Sequence, residues 1–432
     1  MALCSIELND VEVRAARGQQ VIAASPGYAL VRKRQIEIGR AAAGQAFLHP
    51  RETLNRFWQQ LSETPLPGWG KRCRHHADLA YLHLQHVREL AGHPEAAVFA
   101  VPGHYGKTEL ALLLGLCEAA GVKAVGLVDA AVAAGAPHLA PGDYAFLELQ
   151  QHQALITRLR VTDRIARRGV EIVPGAGRNR LETACVRAIV AAFLVQARFD
   201  PLAHAATEQL LYTHLSEWLA LLAHRGELRV HVDFRGSRFE ARVDRAALDR
   251  AAAPLFADIV RQLAPGEQLV TTERVAALPG FAAACRGALE LPDDAVFCGL
   301  ALHEKVFAGG RAASQLVTEL PAAPDATVSR AARTTHDRAT HLLVNHHAHA
   351  LAAEPLYLAP RGRLARVREL DAVCRVCAGP DGARIEALDG AHVLVNGMPL
   401  AAPAALAAGD HVSFSGAGGS FVAITVLAPD AA

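Results

Sequence analysis

Three sets of residues carry types and spacings that could do chemistry. The first is Gly103-His104-Tyr105-Gly106-Lys107-Thr108, which follows an apolar run and opens a helical pattern, as a phosphate-binding loop does. The full motif G-x-x-x-x-G-K-[ST] would need its first glycine where Val101 stands, so the loop is two residues short for its amides to wrap a β-phosphate. Two readings stay open here, a P-loop nucleotide enzyme using Gly103–Thr108 and a plain strand-to-helix turn. The second set is His75, His76, His83 and His86. His83 and His86 are i,i+3 neighbours, yet no carboxylate or cysteine joins them at ligand spacing, so the expectation is solvated histidines and no metal. The third is Cys374-x-x-Cys377, which on a strand sends its thiols to opposite faces with no second pair nearby, so zinc is not expected. His346, His347 and His349 read as solvated residues of a strand connection.

The elements that must position these residues follow from periodicity. Ala97–Val101 is an apolar run broken by Pro102-Gly103, Thr108–Ala120 is a helix with Leu110, Leu113, Leu114 and Cys117 on one stripe, and Val122–Val128 is a second run before Asp129 opens an Ala-rich helix. That is a βαβ unit with parallel strands and a right-handed crossover. Cys4–Leu8 and Val11–Ala16 form a hairpin around Asn9-Asp10, and Tyr144–Leu149 with Ala154–Leu159 form a second one. Helices are expected at His76–Leu90, Asn179–Val195, Thr207–Ala223 and Asp244–Leu263, with an alternating hairpin at Leu228–Phe234 and Ser237–Val243. Residues 322–338 lack periodicity and read as a linker, after which short alternating strands from Thr340 onward give an all-β pattern.

Composition narrows the classes. A chain of 432 residues has room for two or three domains, and 44 basic against 43 acidic residues give no bias toward nucleic acid or an anionic membrane. No apolar run reaches membrane-spanning length, the N-terminus lacks a basic-then-apolar signal, and the 8 cysteines are mostly scattered, so a cytoplasmic protein with reduced thiols is expected.

Six landmarks in order resemble the ATPase domain of the seventy-kilodalton heat-shock chaperones, of the actin-like superfamily. Ile6-Glu7-Leu8-Asn9-Asp10 stands at the first phosphate loop, I-D-L-G-T-T. Ile38-Gly39 through Ala46 resembles V-G-x-x-A-x-x-Q-A, and Phe99–Tyr105 with Leu127–Ala134 resembles V-x-V-P-x-x-[YF] followed by a strand ending N-E-P-[TA]-A-A. Leu147-Glu148-Leu149-Gln150-Gln151-His152 stands at the second phosphate loop, F-D-L-G-G-G-T-F-D. Leu269–Gly280, with Thr271 and Thr272, stands at the adenosine loop, and Asp293–Ala301 at P-D-E-A-V-A-x-G-A-A. The resemblance implies, over residues 1–321, an α/β fold of two lobes around a cleft. It places Glu7, Asp129 and Glu148 where the family's Mg²⁺-organising and water-orienting carboxylates lie, with Asn9, Asp10, Gln150, Gln151, Thr271 and Thr272 beside them. Trp58 takes the catalytic lysine's position and reads as core, while Arg56, two residues away, is expected to point elsewhere. The loop glycines are replaced by larger side chains.

Residues 339–432 resemble a forkhead-associated β-sandwich, from Val395-Asn396-Gly397 and Leu406-x-x-Gly409-Asp410-x-Val412. The phosphothreonine-reading serine falls at Cys374, with Arg361, Arg363, Arg375 and Asn396 as remaining surface candidates. Together the resemblances imply a pseudo-ATPase scaffold that binds a protein partner through the β domain or the lobes, with no cofactor expected. The competing expectation is an ATP-binding, Mg²⁺-dependent chaperone-like ATPase or switch with an atypical cleft.

Overall fold

The computed structural model describes residues 3–32, 35–66, 73–223, 225–264, 266–308, 315–323, 339–344, 347–352, 354–359, 363–368, 372–379, 382–388, 391, 393–395, 398–400, 403–406, 410–414 and 420–424. It is a mixed α/β structure that divides into two compact units, Met1–Ser329 and Arg330–Ala432. Most of the expected linker lies outside the described residues. Its first two residues belong to the first unit instead, since the Ala322 and Ala323 amides donate to the carbonyls of Asp163 and Ala136.

In the first unit, β1 (Cys4–Glu7), β2 (Val13–Arg17) and β3 (Gln20–Ser25) make an antiparallel meander. A small sheet of β4 (Ala29–Val31), β5 (Ile36–Ile38) and β6 (Thr53–Leu54) follows, with α1 (Arg40–Ala43) inside it. Then come α2 (His76–Leu90), β7 (Ala96–Val101), α3 (Lys107–Ala119), β8 (Lys123–Asp129) and α4 (Ala130–Gly135). β9 (Gly142–Leu149), β10 (Gln153–Val161) and β11 (Arg164–Pro174) form a second meander. After α5 (Arg178–Ala197), α6 (Ala205–Ala223), the hairpin β12 (Glu227–Phe234) and β13 (Ser237–Asp244), and α7 (Arg245–Val260), the chain returns through β14 (Gln268–Thr272). Short helices α8 (Glu273–Ala276) and α9 (Phe281–Ala284), strand β15 (Leu289–Leu291) and α10 (Ala295–Leu302) complete it, before β16 (Leu316–Val317) and β17 (Glu319–Pro321).

The two large sheets repeat one pattern. The first runs β16-β8-β7-β1-β2-β3 and the second β15-β14-β9-β10-β11-β17. In each, the meander is antiparallel and its first strand is extended by parallel strands, β7 and β8 on β1, β14 and β15 on β9. β1 and β7 are buried along nearly their whole length; β7 accordingly reads as a continuous apolar run, whereas β1 also buries Ser5 and Glu7. Helices α4 and α10 share one core with residues of both sheets, among them Val98, Val128, Phe146 and Val270. Gly299 of α10 permits that layer, because a Cβ there would run into the Ala133 carbonyl of α4.

The expected helices are present with small shifts at their ends; Asp244 caps α7 by accepting from the Ala246 amide at 2.9 Å. Trp58 is core, but it lies in a turn. The expectation that His83 is solvated is wrong. It is fully buried, its Nδ1 accepting from Trp58 Nε1 at 2.8 Å and its Nε2 facing Ser25 Oγ at 2.9 Å. Because Nδ1 is the acceptor, Nε2 carries the proton and donates to the serine, so this pair is no general base. Burial pushes the imidazole down to about 3, which keeps it neutral.

In the second unit every pairing among the described strands is antiparallel. One sheet orders His347–Ala350, His341–Val344, Ser420–Ile424, His411–Phe414, Val393–Val395 and Met398–Pro399. The other orders Arg363–Ala365, Leu356–Ala359, Cys374–Gly379, Gly382–Ala387 and Ala404–Leu406, and Leu342, Leu358, Val376 and Ile385 share a core with residues of both. His347 and His349 sit in a strand, not in a connection. Among the described residues no helix is long and apolar enough to cross a membrane.

Candidate functional site

Parallel pairing brings the carboxyl ends of several strands together, the usual place for a site in α/β sheets. In the first sheet Glu7 is level with Ala100 and Val101 with Asp129; in the second, Glu148 lies near the end of β9 beside β14. The turn Leu8–Glu12 leaves the first sheet and the turn Gln150–His152 leaves the second. These two turns meet.

Each acid at this junction already has protein partners. Glu7 Oε2 accepts from Arg14 Nη2 at 2.6 Å and Nε at 2.8 Å, across the β1–β2 register that sets the two residues opposite. The same guanidinium reaches Asp293 Oδ2 at 3.1 Å and stacks over Phe297, its carbon 5.2 Å from the ring centre. Asp129 caps α4 through the Ala131 and Val132 amides and pairs with Arg167 Nη1 at 2.9 Å. Burial raises its pKa, and Arg167 opposes the rise. Glu148 Oε1 accepts from Asn9 Nδ2 at 3.1 Å, and Asn9 also donates to the Leu149 carbonyl at 3.1 Å. Burial and the neighbouring Glu7 and Asp129 carboxylates push Glu148 up to about 8. Asp10 Oδ1 accepts from the Gln151 amide at 2.7 Å, while its Oδ2 is buried without a hydrogen-bond partner. Burial lifts it to about 7 against the pull of the Gln151 amide and Arg56. Arg56 is exposed and bonds to Gln59 Oε1 at 3.3 Å, so it acts on this junction through its charge alone.

The glutamines of the Gln150–Gln153 turn are bonded to the protein itself. Gln59 Nε2 donates to Gln153 Oε1 at 2.8 Å, Gln153 Nε2 to Gln150 Oε1 at 2.8 Å, and Gln150 Nε2 to Glu148 Oε1 at 3.4 Å. In parallel, Asn55 Nδ2 donates to Gln151 Oε1 at 3.2 Å and Gln151 Nε2 to the Asp10 carbonyl at 2.8 Å. His152 Nε2 faces Asn55 Oδ1 at 2.9 Å, and burial with Arg56 nearby pushes its pKa down to about 4. The amino end of α5, an anion site in other settings, is also occupied: the Arg178 and Asn179 amides donate to the Gln150 and Gln151 carbonyls at 2.8 and 2.9 Å. Gly177 permits this, since a Cβ there would stand 2.4 Å from the Gln151 oxygen.

Beside the junction lies a pocket of about 80 Å³, walled by Glu7, Asn9, Phe146, Glu148, Thr272 and Arg274 among others. Ligand sites for small molecules and cofactors run to roughly 300–1,000 Å³. Mg²⁺ with a nucleoside triphosphate does not fit these residues: the space is too small, and the acids and loop amides are engaged with one another. Of the residues expected here, Glu7, Asn9, Asp10, Asp129, Glu148, Gln150, Gln151 and Thr272 are brought together. Thr271 is buried beneath, its hydroxyl donating to the Leu147 carbonyl at 2.8 Å. At the Gly103–Thr108 turn the Gly106 amide donates to Glu109 Oε2 at 2.9 Å, so a carboxylate of the same helix stands where a phosphate would bind. The sequence reading missed Arg14, Asn55, Gln59, Gln153, Arg167 and Asp293. None of these was signalled: a two-residue Asn9-Asp10 hairpin turn would set Glu7 opposite Glu12, whereas the strands end at Glu7 and resume at Val13 and the register sets Glu7 opposite Arg14.

In the second unit Arg361 and Asn396 lie outside the described residues, and of Arg363 only the strand is described. Cys374 is buried, its thiol pushed up to about 12. Arg375 pairs with Glu386 across the strands, Nε to Oε2 at 2.7 Å, so it is not a free anion contact. No family model matches the chain, and no curated protein matches it.

Proposed function

We propose that the chain is a non-catalytic scaffold of the actin-like, heat-shock-like type, with a pseudo-ATPase region over residues 1–321 and a forkhead-associated-like β-sandwich over 339–432. The repeated sheet order supports the two-lobe reading, with α4 and α10 between the lobes. The observation that carries the functional reading is the closed network of Glu7–Arg14, Asn9–Glu148, Asp10–Gln151 and the glutamine chain, which fills the volume a triphosphate would need. Function then resides in surfaces, and a protein partner engages the β domain or the lobes. The Gly106–Glu109 bond argues against a P-loop enzyme.

Calorimetry with Mg-ATP tests this. Losing two or three charge-assisted bonds to phosphate, at roughly 1.5–3 kcal/mol each, weakens binding by several powers of ten, so the expected affinity is millimolar at best with no hydrolysis above background. A micromolar Kd, with turnover abolished by Glu148→Gln, establishes the ATP-driven switch instead.

A further inference from the structure

Two arginines of the first unit stand where the backbone favours glycine or asparagine. Arg198 caps the end of α5 at φ +49°, and Arg235 takes the first position of the β12–β13 turn at φ +48°, with Gly236 after it at +79°. A side chain at positive φ is strained, and neither arginine has a carboxylate partner among the described residues. Both flank one aromatic cluster. Phe199 stacks on Phe239 with ring centres 3.9 Å apart and planes 8° from parallel, and its ring centre is 6.0 Å from that of Phe234. The Arg235 guanidinium lies over Phe234, 5.0 Å from the ring centre.

The hairpin beneath these residues is a sheet of two strands, so β13 is an edge. One end of that edge is closed. The Arg242 amide donates to Gln196 Oε1 at 2.8 Å, and Gln196 Nε2 donates to the Arg242 carbonyl at 2.9 Å, so a carboxamide of α5 does there what a third strand would do. The period of a strand is two, so the N–H and C=O groups of Arg238 and Glu240 point the same way as those of Arg242. Nothing among the described residues bonds to them on that side. Val195, next to Gln196 in α5, is 82% exposed, which leaves apolar surface by the open edge. We propose that a partner protein adds a strand to β13 here, through an extended segment that alternates acidic and apolar residues. Bonds from its main chain to Arg238 and Glu240 carry the affinity, and the alternation of its side chains sets the specificity. The residue opposite Phe239 shares the face of the Phe199–Phe239 stack and is apolar. The acids answer Arg198 and Arg235, the positive charges that the flanks leave unpaired. A nucleic acid would need ring faces to stack on, and these rings are packed on one another and under Arg235. The surface rests on the scaffold reading, for which it supplies the place where a partner engages the first unit.

Fluorescence anisotropy of a short labelled peptide of alternating glutamate and valine, titrated with the full-length protein, tests this. Glu240→Pro removes an amide that points away from β12, so the hairpin keeps its own bonds while affinity for the peptide falls at least tenfold. Glu240→Ala keeps the amide and the wild-type affinity. Arg198→Gly relieves the strained backbone, so its urea midpoint rises while affinity falls by about threefold, as the loss of an exposed ion pair allows; an arginine with only a structural role would not split the two readouts. Hydrogen exchange of the Arg238 and Glu240 amides slows when the peptide is added to the wild type. No binding by the wild type at millimolar peptide, equal binding by Glu240→Pro, or equal binding of a lysine–valine peptide or of oligothymidylate overturns the proposal. Micromolar binding of Mg-ATP overturns the scaffold reading instead, and the peptide titration does not depend on it.

Discussion

Replacing Arg14 with alanine removes the guanidinium held between Glu7 and Asp293 and leaves the Glu7 carboxylate, 7% exposed, without its counter-charge. Breaking a buried pair from one side costs about 3–5 kcal/mol, because the surviving charge stays desolvated. The lost stacking on Phe297 adds roughly 0.5–2 kcal/mol. A domain has a total stability of about 5–15 kcal/mol, so the variant is expected to remain folded only marginally. The assay is urea unfolding followed by tryptophan fluorescence: Trp58, Trp69 and Trp218 all precede Arg330, so the signal reports the first unit alone. With a slope of about 3 kcal/mol per molar urea, the midpoint falls by roughly 1–2 M. The double variant Glu7→Gln with Arg14→Met removes both charges and keeps the volume, and is expected to recover most of the loss. A cost below about 1 kcal/mol for Arg14→Ala, or a double variant no better than the single one, refutes the claim that the pair is a desolvated unit and with it the picture of a closed junction.

Two further outcomes follow from the same site. Asp10 and Glu148 have pKa values raised to about 7 and about 8, so the folded chain holds protons that the unfolded chain releases. Their contribution is fully present below pH 4 and is lost as the pH climbs through 7 and 8, by an amount on the order of 2–4 kcal/mol for Asp10; the urea midpoint should drop from pH 5.5 to 8.5 in the wild type, less in Asp10→Asn, which leaves the Glu148 share, and least in Asp10→Asn with Glu148→Gln, and equal drops in all three contradict the assignment. Gly177→Ala meets the Gln151 carbonyl at 2.4 Å with an ordinary φ of −98°, a steric cost of about 2–3 kcal/mol. Gly175→Ala, at φ +72° with open space around it, pays only a torsional cost of about 1 kcal/mol, and the same urea assay separates the two.

Elements whose determinants are local were legible in the sequence. The helix His76–Leu90 is bounded as its periodicity predicts, and Asp129 and Asp244 are caps because a side-chain oxygen two residues before an orphan amide needs no tertiary help. What was illegible is long-range. His83 sits on an amphipathic helix among other histidines and looked like surface; its partner Trp58 is 25 positions away and Ser25 is 58. The amide chain joins residues 94 and 139 positions apart, and nothing in a glutamine's neighbourhood says whether its side chain faces water or another amide. That Gln150 and Gln151 stand in a turn was legible, but not what their side chains bond to.

What these glutamines do bears on how the junction is held together. A phosphate cradle is built of donors only, so an empty one leaves several buried N–H groups unpaired, at about 1–3 kcal/mol each. A carboxamide offers a donor and an acceptor on one plane, so a row of them can satisfy itself. Here Gln150 accepts from Gln153 and donates to Glu148, Gln151 accepts from Asn55 and donates to the Asp10 carbonyl, and the α5 amides are taken by loop carbonyls. The raised pKa of Glu148 fits the same logic, since a neutral carboxyl beside Glu7 and Asp129 costs less than a third buried charge. A turn built on glutamines is thus completed by the chain itself, where a cradle of donors alone needs an anion. The scaffold reading we propose rests on that difference: a junction held by its own amides gains little from a nucleotide.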